Sequence, residues 1–425
     1  MNKLIVQPLA KSNISTVIVI DAFDECKDDE PASAILSVLG QFVNAIPKVK
    51  FFVTGRPEPR IRKGFLLPLL AEATGAFGLH EVEPNQVSND IRLFFEYNLL
   101  KLKGNKHQPD DWPTEEQLDL LCERSAGLFV HVMATIRFIG QKNINPKRQL
   151  DRLLQLPESS AFEGKVRLKT HSTLDSLYTT ILLEAFGDDD LERDPMVRSV
   201  LGAVILATNP LSPSSIATLL GFETEDVLLL LSSAHSLLVF QEDIDHPVKS
   251  FHKSFPDFLI DPTRCINPRF RIDPQHQHTE LLVNCLELMN RGLEQNMCRL
   301  PDGIINSEVA DLKERSEKYI DRALRYACRS WHKHLVEAIP AQMPEITPVL
   351  HRFLDQKFLF WLEVLSILGI VRVAVDALEV TARLLIVRCI SFIDVFKRFI
   401  WVEYRCHQLS TLSEITLVSQ SRSST

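Results

Sequence analysis

The chain has 425 residues, 45% of them hydrophobic and 24% charged, a balance that fits globular domains and excludes fibrous repeats and wholesale disorder. Its formal net charge of -8 and pI near 5.9 give no whole-protein attraction to nucleic acid or to an anionic membrane. Eight scattered cysteines without a C-x-x-C pair argue against a zinc module and a disulfide framework, and most read as small buried side chains.

The opening MNKLIVQPLAKSN has too little hydrophobic length for a signal peptide, so a cytoplasmic chain is expected. Residues 16–20 are a β-branched run ending at Asp21, and 49–54 form a second strand candidate. Between them Ile35, Leu36, Leu39, Phe42, Val43 and Ile46 recur at helical spacing, closed by Pro47. This β-α-β unit with continuously apolar strands predicts a parallel sheet covered on both faces, and 79–82 reads as a weaker third strand.

After Pro84 the pattern turns helical. Ile91, Phe94, Phe95 and Leu99 form one stripe, and Thr114 with Gln117 makes a capping box after Pro113. From 211 to 255 the order is more specific: Ser212-Pro213 opens a helix closed by Gly221, a second helix follows, and two short strands, 237–240 and 248–252, flank a turn with Asp243 and Asp245. That order predicts a winged helix. Residues 276–334 are helical again, and Pro340, Pro344 and Pro348 mark a linker before a final helical block. The apolar stretch 358–375 is interrupted by Glu363 and Arg372, so a buried helix is expected rather than a membrane span. From Ser410 the chain is rich in Ser and Thr, as disordered tails are.

Ile18-Val19-Ile20-Asp21-Ala22-Phe23-Asp24-Glu25 places three carboxylates at the C-terminal end of a buried strand, where open α/β sheets bind ligands. Such carboxylates can hold Mg²⁺ directly or through water, or orient an attacking water. An acidic solvated loop accounts for the same residues equally well. The second strand ends in Thr54-Gly55-Arg56-Pro57, where the Arg56 guanidinium is suited either to phosphate charge or to an ordinary salt bridge. His276-Gln277-His278, His332-Lys333-His334 and Gly187-Asp188-Asp189-Asp190 read as solvated surface, not as metal sites.

The pattern hhhhDxhDE, followed about thirty residues later by T-x-R-P, resembles the Walker B and sensor 1 pair of NACHT domains. These belong to the STAND class of P-loop NTPases, with NOD-like receptors and nephrocystin 3-like N-terminal domains. VIVIDAFDEC, KFFVTGRPEPRIRKGF, CERSAGLFVHV and SFHKSFPDFLIDPTRC are similar in particular to fungal, mainly basidiomycete, NACHT proteins. The resemblance implies ATP/ADP and Mg²⁺ as cofactors. It assigns Asp21 to Mg²⁺, Asp24 and Glu25 to the hydrolytic water, Arg56 to sensor 1, and His252 of Phe251-His252-Lys253-Ser254-Phe255 to the β-phosphate of ADP, although a histidine at a strand end is also commonly structural. Gly127-Leu128-Phe129 falls where related receptors carry G-L-P, with Phe129 in place of the proline.

No G-x-x-x-x-G-K-[ST] string occurs; the one Gly-Lys pair, Gly164-Lys165, is followed by Val166. The resemblance therefore implies an N-terminally truncated switch, with the Walker A strand missing between the strands at 49–54 and 79–82, and no meaningful ATP hydrolysis. The expected fold is α/β followed by mainly α: residues 1–84 a partial P-loop NTPase parallel sheet, 85–195 a helical region, 196–262 a winged helix, 263–385 a helical C-terminal block and 386–425 an atypical tail. Protein partners, and a homo-oligomer in intact relatives, are expected; nucleic acid and membrane are not. A non-enzymatic helical interaction scaffold is the alternative function.

Overall fold

The computed structural model describes residues 7–386 apart from 13–14, 27–28, 43–45, 47, 57, 105–110, 143, 156–168, 188–193, 242, 302–304 and 339–342. The chain divides into two compact units, 1–86 and 87–425.

In the first unit, strand β1 (Thr16–Ile20) pairs in parallel with β2 (Val49–Val53), Thr16 opposite Val49 and Ile20 opposite Val53, and the helix Asp29–Phe42 makes the crossover. Period-two alternation sorts the side chains. Ile20, Phe51 and Val53 pack on a small core of Phe23, Leu36, Leu39, Ile61 and Leu70, whereas Val17, Val19 and Phe52 on the opposite face are each 60% exposed or more. Cover on both faces, expected from the apolar run, is thus not observed among the described residues: the helices Asp29–Phe42 and Pro59–Phe65 pack on one face and leave the other exposed. The helix Pro59–Phe65 reaches that core because Gly64 lets its backbone approach Leu36, whose Cδ1 lies 2.3 Å from where a Cβ would sit. The third strand expected at 79–82 is instead one 3-10 turn, Leu79–Glu81. Its amides find local acceptors, Glu81 N–H on Gly78 O at 2.8 Å and Val82 N–H on Leu79 O at 3.3 Å, so the segment needs no sheet partner.

The second unit is helical almost throughout. Thr114 caps the helix Glu115–Ser125 as expected, its Oγ1 accepting from Gln117 N–H at 3.2 Å while Gln117 Oε1 accepts from Thr114 N–H at 3.1 Å. Helices Pro213–Leu220 and Thr224–Ser233 precede an antiparallel pair, β3 (Leu238–Val239) and β4 (Lys249–Ser250), shorter than the two strands read from the sequence. The intervening turn is tied back to the first of these helices: Asp245 accepts from Ser214 Oγ at 2.8 Å, and Ile244 O accepts from Ser214 N–H at 3.0 Å.

The core is centred on two helices, Pro274–Gly292 and Arg322–Glu337, packed through Leu281, Cys285 and Met289 against Leu324, Cys328 and Trp331. Trp331 in turn meets Phe353 and Trp361 edge-on, at ring separations of 5.4 and 5.9 Å. The expected proline-marked linker is not seen in the described residues. Pro344 and Pro348 lie inside the helix Met343–Arg352, and Pro340 lies outside the described residues. Pro344 falls in the first turn, where a missing N–H costs nothing, and the complete burial of Ile346 and Leu350 offsets the bond that Pro348 forfeits. The apolar stretch 358–375 breaks at Gly369, φ 68°, into the helices Phe358–Ile367 and Arg372–Ile386, and no described helix is long and apolar enough to cross a membrane. Of the six described cysteines, Cys265, Cys285, Cys298 and Cys328 are buried and Cys26 and Cys122 half-buried, all as free thiols.

The histidine pairs correct the sequence reading. His276 is exposed, but His332 is 5% and His334 0% exposed: residues two apart point to different sides of a helix, and Arg322–Glu337 is packed both by Pro274–Gly292 and by Arg372–Ile386. His334 Nδ1 lies 2.8 Å from His278 Nδ1, and its Nε2 2.7 Å from the Tyr326 hydroxyl. The acidic run 188–190 lies outside the described residues.

A Cβ on Gly202 would sit 2.3 Å from Cδ and Oε1 of Gln277, which is 4% exposed and bonded to Glu280, so Gly202→Ala is expected to cost about 1–3 kcal/mol, read as a lower melting temperature. Burial holds His131 and His332 down to about 4 and His334 to about 3, against an ordinary 6.5. These rings stay neutral when folded and take protons when unfolded, so their contribution is complete above pH 6.5 and is lost as pH falls towards 4. Urea unfolding at pH 7.5 and pH 5 is expected to show that loss, with a shallower slope in His131→Leu.

Candidate functional site

The carboxylate turn is built by the register of the two strands. With Ile20 opposite Val53, the next residues of each strand meet: Thr54 N–H donates to Ile20 O at 3.0 Å and Phe23 N–H to Thr54 O at 2.8 Å. Thr54 Oγ1 accepts from Ala22 N–H at 3.0 Å and donates its proton to the Asp21 carboxylate. To make this turn Ala22 takes a left-handed conformation, φ 51° and ψ 48°, unusual for a residue with a Cβ. Phe23 then drops into the core, 2% exposed, and one 3-10 turn, Phe23–Glu25, sends successive carboxylates to different environments.

Asp21 and Glu25 are exposed, whereas Asp24 is 6% exposed and turned toward the second strand. Asp24 Oδ1 accepts from Arg56 N–H at 3.1 Å, and its Oδ2 lies 3.7 Å from Arg56 Nε. At that distance, with Arg56 45% exposed, the ionic part contributes little; the charged acceptor on a backbone amide is the stronger element. Asp21, Asp24, Glu25 and Arg56 therefore converge at the C-terminal end of the parallel pair. The Thr54 hydroxyl, to which the sequence reading gave no role, joins the two strand ends. Asp21 offers one exposed carboxylate oxygen donor, and among the described residues no group of three or more His, Cys, Asp or Glu side chains is placed to hold a metal ion.

In the second unit His252 follows β4. Phe251 N–H donates to Leu237 O at 2.8 Å, and Arg137 lies over the Phe251 ring at 4.6 Å while donating to Ser236 O at 3.0 Å. His252 is exposed, and its Nδ1 is 3.1 Å from Ser254 N and 2.7 Å from Ser254 Oγ. Ser254 Oγ is 2.8 Å from the Tyr178 hydroxyl, a buried phenol that desolvation pushes up to about 12. Ser254 could be suspected from its place two residues after His252. Tyr178, 76 positions from Ser254, gives no signal in the sequence.

The rest of SFHKSFPDFLIDPTRC serves packing. Asp261 accepts from Thr263 N–H at 2.8 Å, and Arg264 makes a fork on the 5%-exposed Asp175, at 3.0 Å from Nε and 2.7 Å from one terminal nitrogen. Phe129 sits at the start of the helix Phe129–Ile139, edge-on to Phe94 at 5.9 Å.

No family model matches this sequence, and no solved structure does. Among known proteins, the vegetative incompatibility protein HET-E-1 of Podospora anserina is 22% identical over 390 residues, which cover 86% of this chain and 26% of HET-E-1. The chain is thus similar, over most of its own length, to about a quarter of a fungal vegetative incompatibility protein.

Proposed function

We propose that this chain is part of a nucleotide-controlled signalling switch of the NACHT type, acting through protein partners in non-self recognition. The observation that carries the reading is the convergence of Asp21, Asp24, Glu25 and Arg56 at the C-terminal end of a parallel β-α-β unit, the place where sheets of this class take ligands. The likeness to a vegetative incompatibility protein adds the biological setting. ADP is the ligand proposed for the resting form, and exchange for ATP the event that releases it.

Within this reading Asp21 would hold Mg²⁺, which neutralises phosphate charge when bound. Glu25, exposed, faces solvent chemistry. Asp24 fixes Arg56 by its backbone, and Arg56 supplies a donor fork for phosphate. With no phosphate-cradling G-x-x-x-x-G-K-[ST] in its 425 residues, the chain is proposed to bind nucleotide weakly and not to turn ATP over. Residues 196–262 are proposed to form a winged helix that carries His252.

The competing reading, a helical interaction scaffold, is favoured by one observation: the second unit has a continuous apolar core of its own. Thermal melts with ADP separate the two. A switch gains about 2.7 kcal/mol at ADP concentrations 100 times the dissociation constant, and Arg56→Ala diminishes the gain; an unmoved melting temperature up to millimolar ADP sinks the switch. Thr54→Val, close in shape, is expected to cost about 1–2 kcal/mol by leaving Ala22 N–H and Asp21 without their shared partner, read as faster exchange of the Ala22 amide.

A further inference from the structure

In the second unit a cavity of about 820 Å³, a size ordinary for small-molecule sites, opens beside the start of the helix Asp194–Leu206. The end of the helix Ser254–Ile260, the loop 261–273 and the start of the helix Pro274–Gly292 complete its lining. The frame is held by bonds of its own. Arg269 Nε reaches Asp194 Oδ1 at 2.9 Å, which ties the loop to the head of the first helix, and Ile272 N–H donates to Leu259 O at 2.9 Å. Phe270 and Ile272 are buried, so Arg271 between them is turned outward, to the cavity and solvent. On the helix Asp194–Leu206, Val197 and Leu201 face the core, and Arg198 stands half-buried at the cavity.

The hydrogen-bonding capacity of the lining is unbalanced. Ile260, Pro262, Pro268 and Ile272 present apolar surface, and the prolines have no amide hydrogen to give. The two carboxylates are already engaged. Glu280 accepts from Ser199 Oγ at 2.6 Å and from Gln277 Nε2 at 2.9 Å, and Asp273 caps its helix by accepting from Gln275 N–H at 3.0 Å and His276 N–H at 3.2 Å. The guanidiniums of Arg198 and Arg271, by contrast, have no hydrogen bond or ion pair among the described residues. Two planar donor forks are thus left over at one cavity with apolar walls. A carboxylate has two oxygens and a single charge, which one fork satisfies. A phosphate monoester carries roughly -1.5 to -2 charges at pH 7 and three acceptor oxygens, enough for both.

We propose that this cavity binds a small phosphate monoester, its phosphate gripped by Arg198 and Arg271 and its organic body laid against Ile260, Pro262, Pro268 and Ile272. None of these residues belongs to the nucleotide site proposed above.

The test uses the full chain and phenyl phosphate as the probe, followed by saturation-transfer NMR and isothermal titration. Saturable binding is expected, about tenfold weaker in Arg198→Met and in Arg271→Met, each of which removes charge-assisted hydrogen bonds. Methionine keeps an apolar stem, and neither guanidinium holds the fold together, so both variants should melt at the parent's temperature. Inorganic phosphate, which has no body for the apolar wall, should bind about tenfold more weakly than phenyl phosphate. No saturable binding of phenyl phosphate, or binding indifferent to both arginine variants, overturns the site. A loss confined to one variant overturns the double grip, and equal affinity for inorganic phosphate overturns the role of the wall. Binding lost in Arg56→Ala but kept in both arginine variants puts the anion at the carboxylate turn of the first unit, which also overturns the site.

Discussion

The parallel register of β1 and β2 is the constraint on which the candidate site depends. Once Ile20 stands opposite Val53, the ladder continues past the strand ends: Thr54 N–H donates to Ile20 O, and Thr54 O accepts from Phe23 N–H. The Thr54 hydroxyl adds a bond in each direction, to Ala22 and to Asp21. A slip of one residue would exchange the buried and exposed sets of side chains and separate these groups. The left-handed Ala22 is tolerated because the bonds on either side of it leave the backbone little alternative.

In the helical unit, half-buried arginines do a comparable job over longer distances. Arg137 collects carbonyls from the segment before β3, Arg264 grips Asp175, and Arg269 grips Asp194, at 2.9 Å from its Nε. Each joins segments about 75 to 100 positions apart, and each uses the planar fork that lysine lacks. Asp175 and Asp194 are 5% and 6% exposed, so removing either arginine would strand a charge in the interior. Of these ties, Arg264 to Asp175 joins the helix that carries Tyr178, Lys169–Phe186, to the segment that follows His252.

What could be read from the sequence follows from how local each signal is. The β-α-β unit, the Thr114 cap and the helix-helix-strand-strand order rest on patterns a few residues long, and all are observed. Leu79-His80-Glu81-Val82 looks like a strand by composition, but strand formation is settled by a neighbour, and the local carbonyls met its amides first. At His334 and Pro348 the reason is the opposite: burial of the surrounding apolar face decides their environment, and residue type alone does not report it. At the site, three carboxylates in a row were legible, yet their division into one buried and two exposed follows from the depth of Phe23 in the core. The Tyr178–Ser254 contact joins positions 76 apart and has no local signature.

The placement of the thiols gives the molecule a built-in clock. Burial pushes Cys285 and Cys328, at the contact of the two central helices, far above the ordinary thiol range, and Cys265 up to about 12. A thiolate is the reactive species, so in the closed protein these sulfurs are chemically silent. Any alkylation at Cys285 or Cys328 must report a molecule whose Pro274–Gly292 and Arg322–Glu337 helices have separated, and its rate measures how often they do.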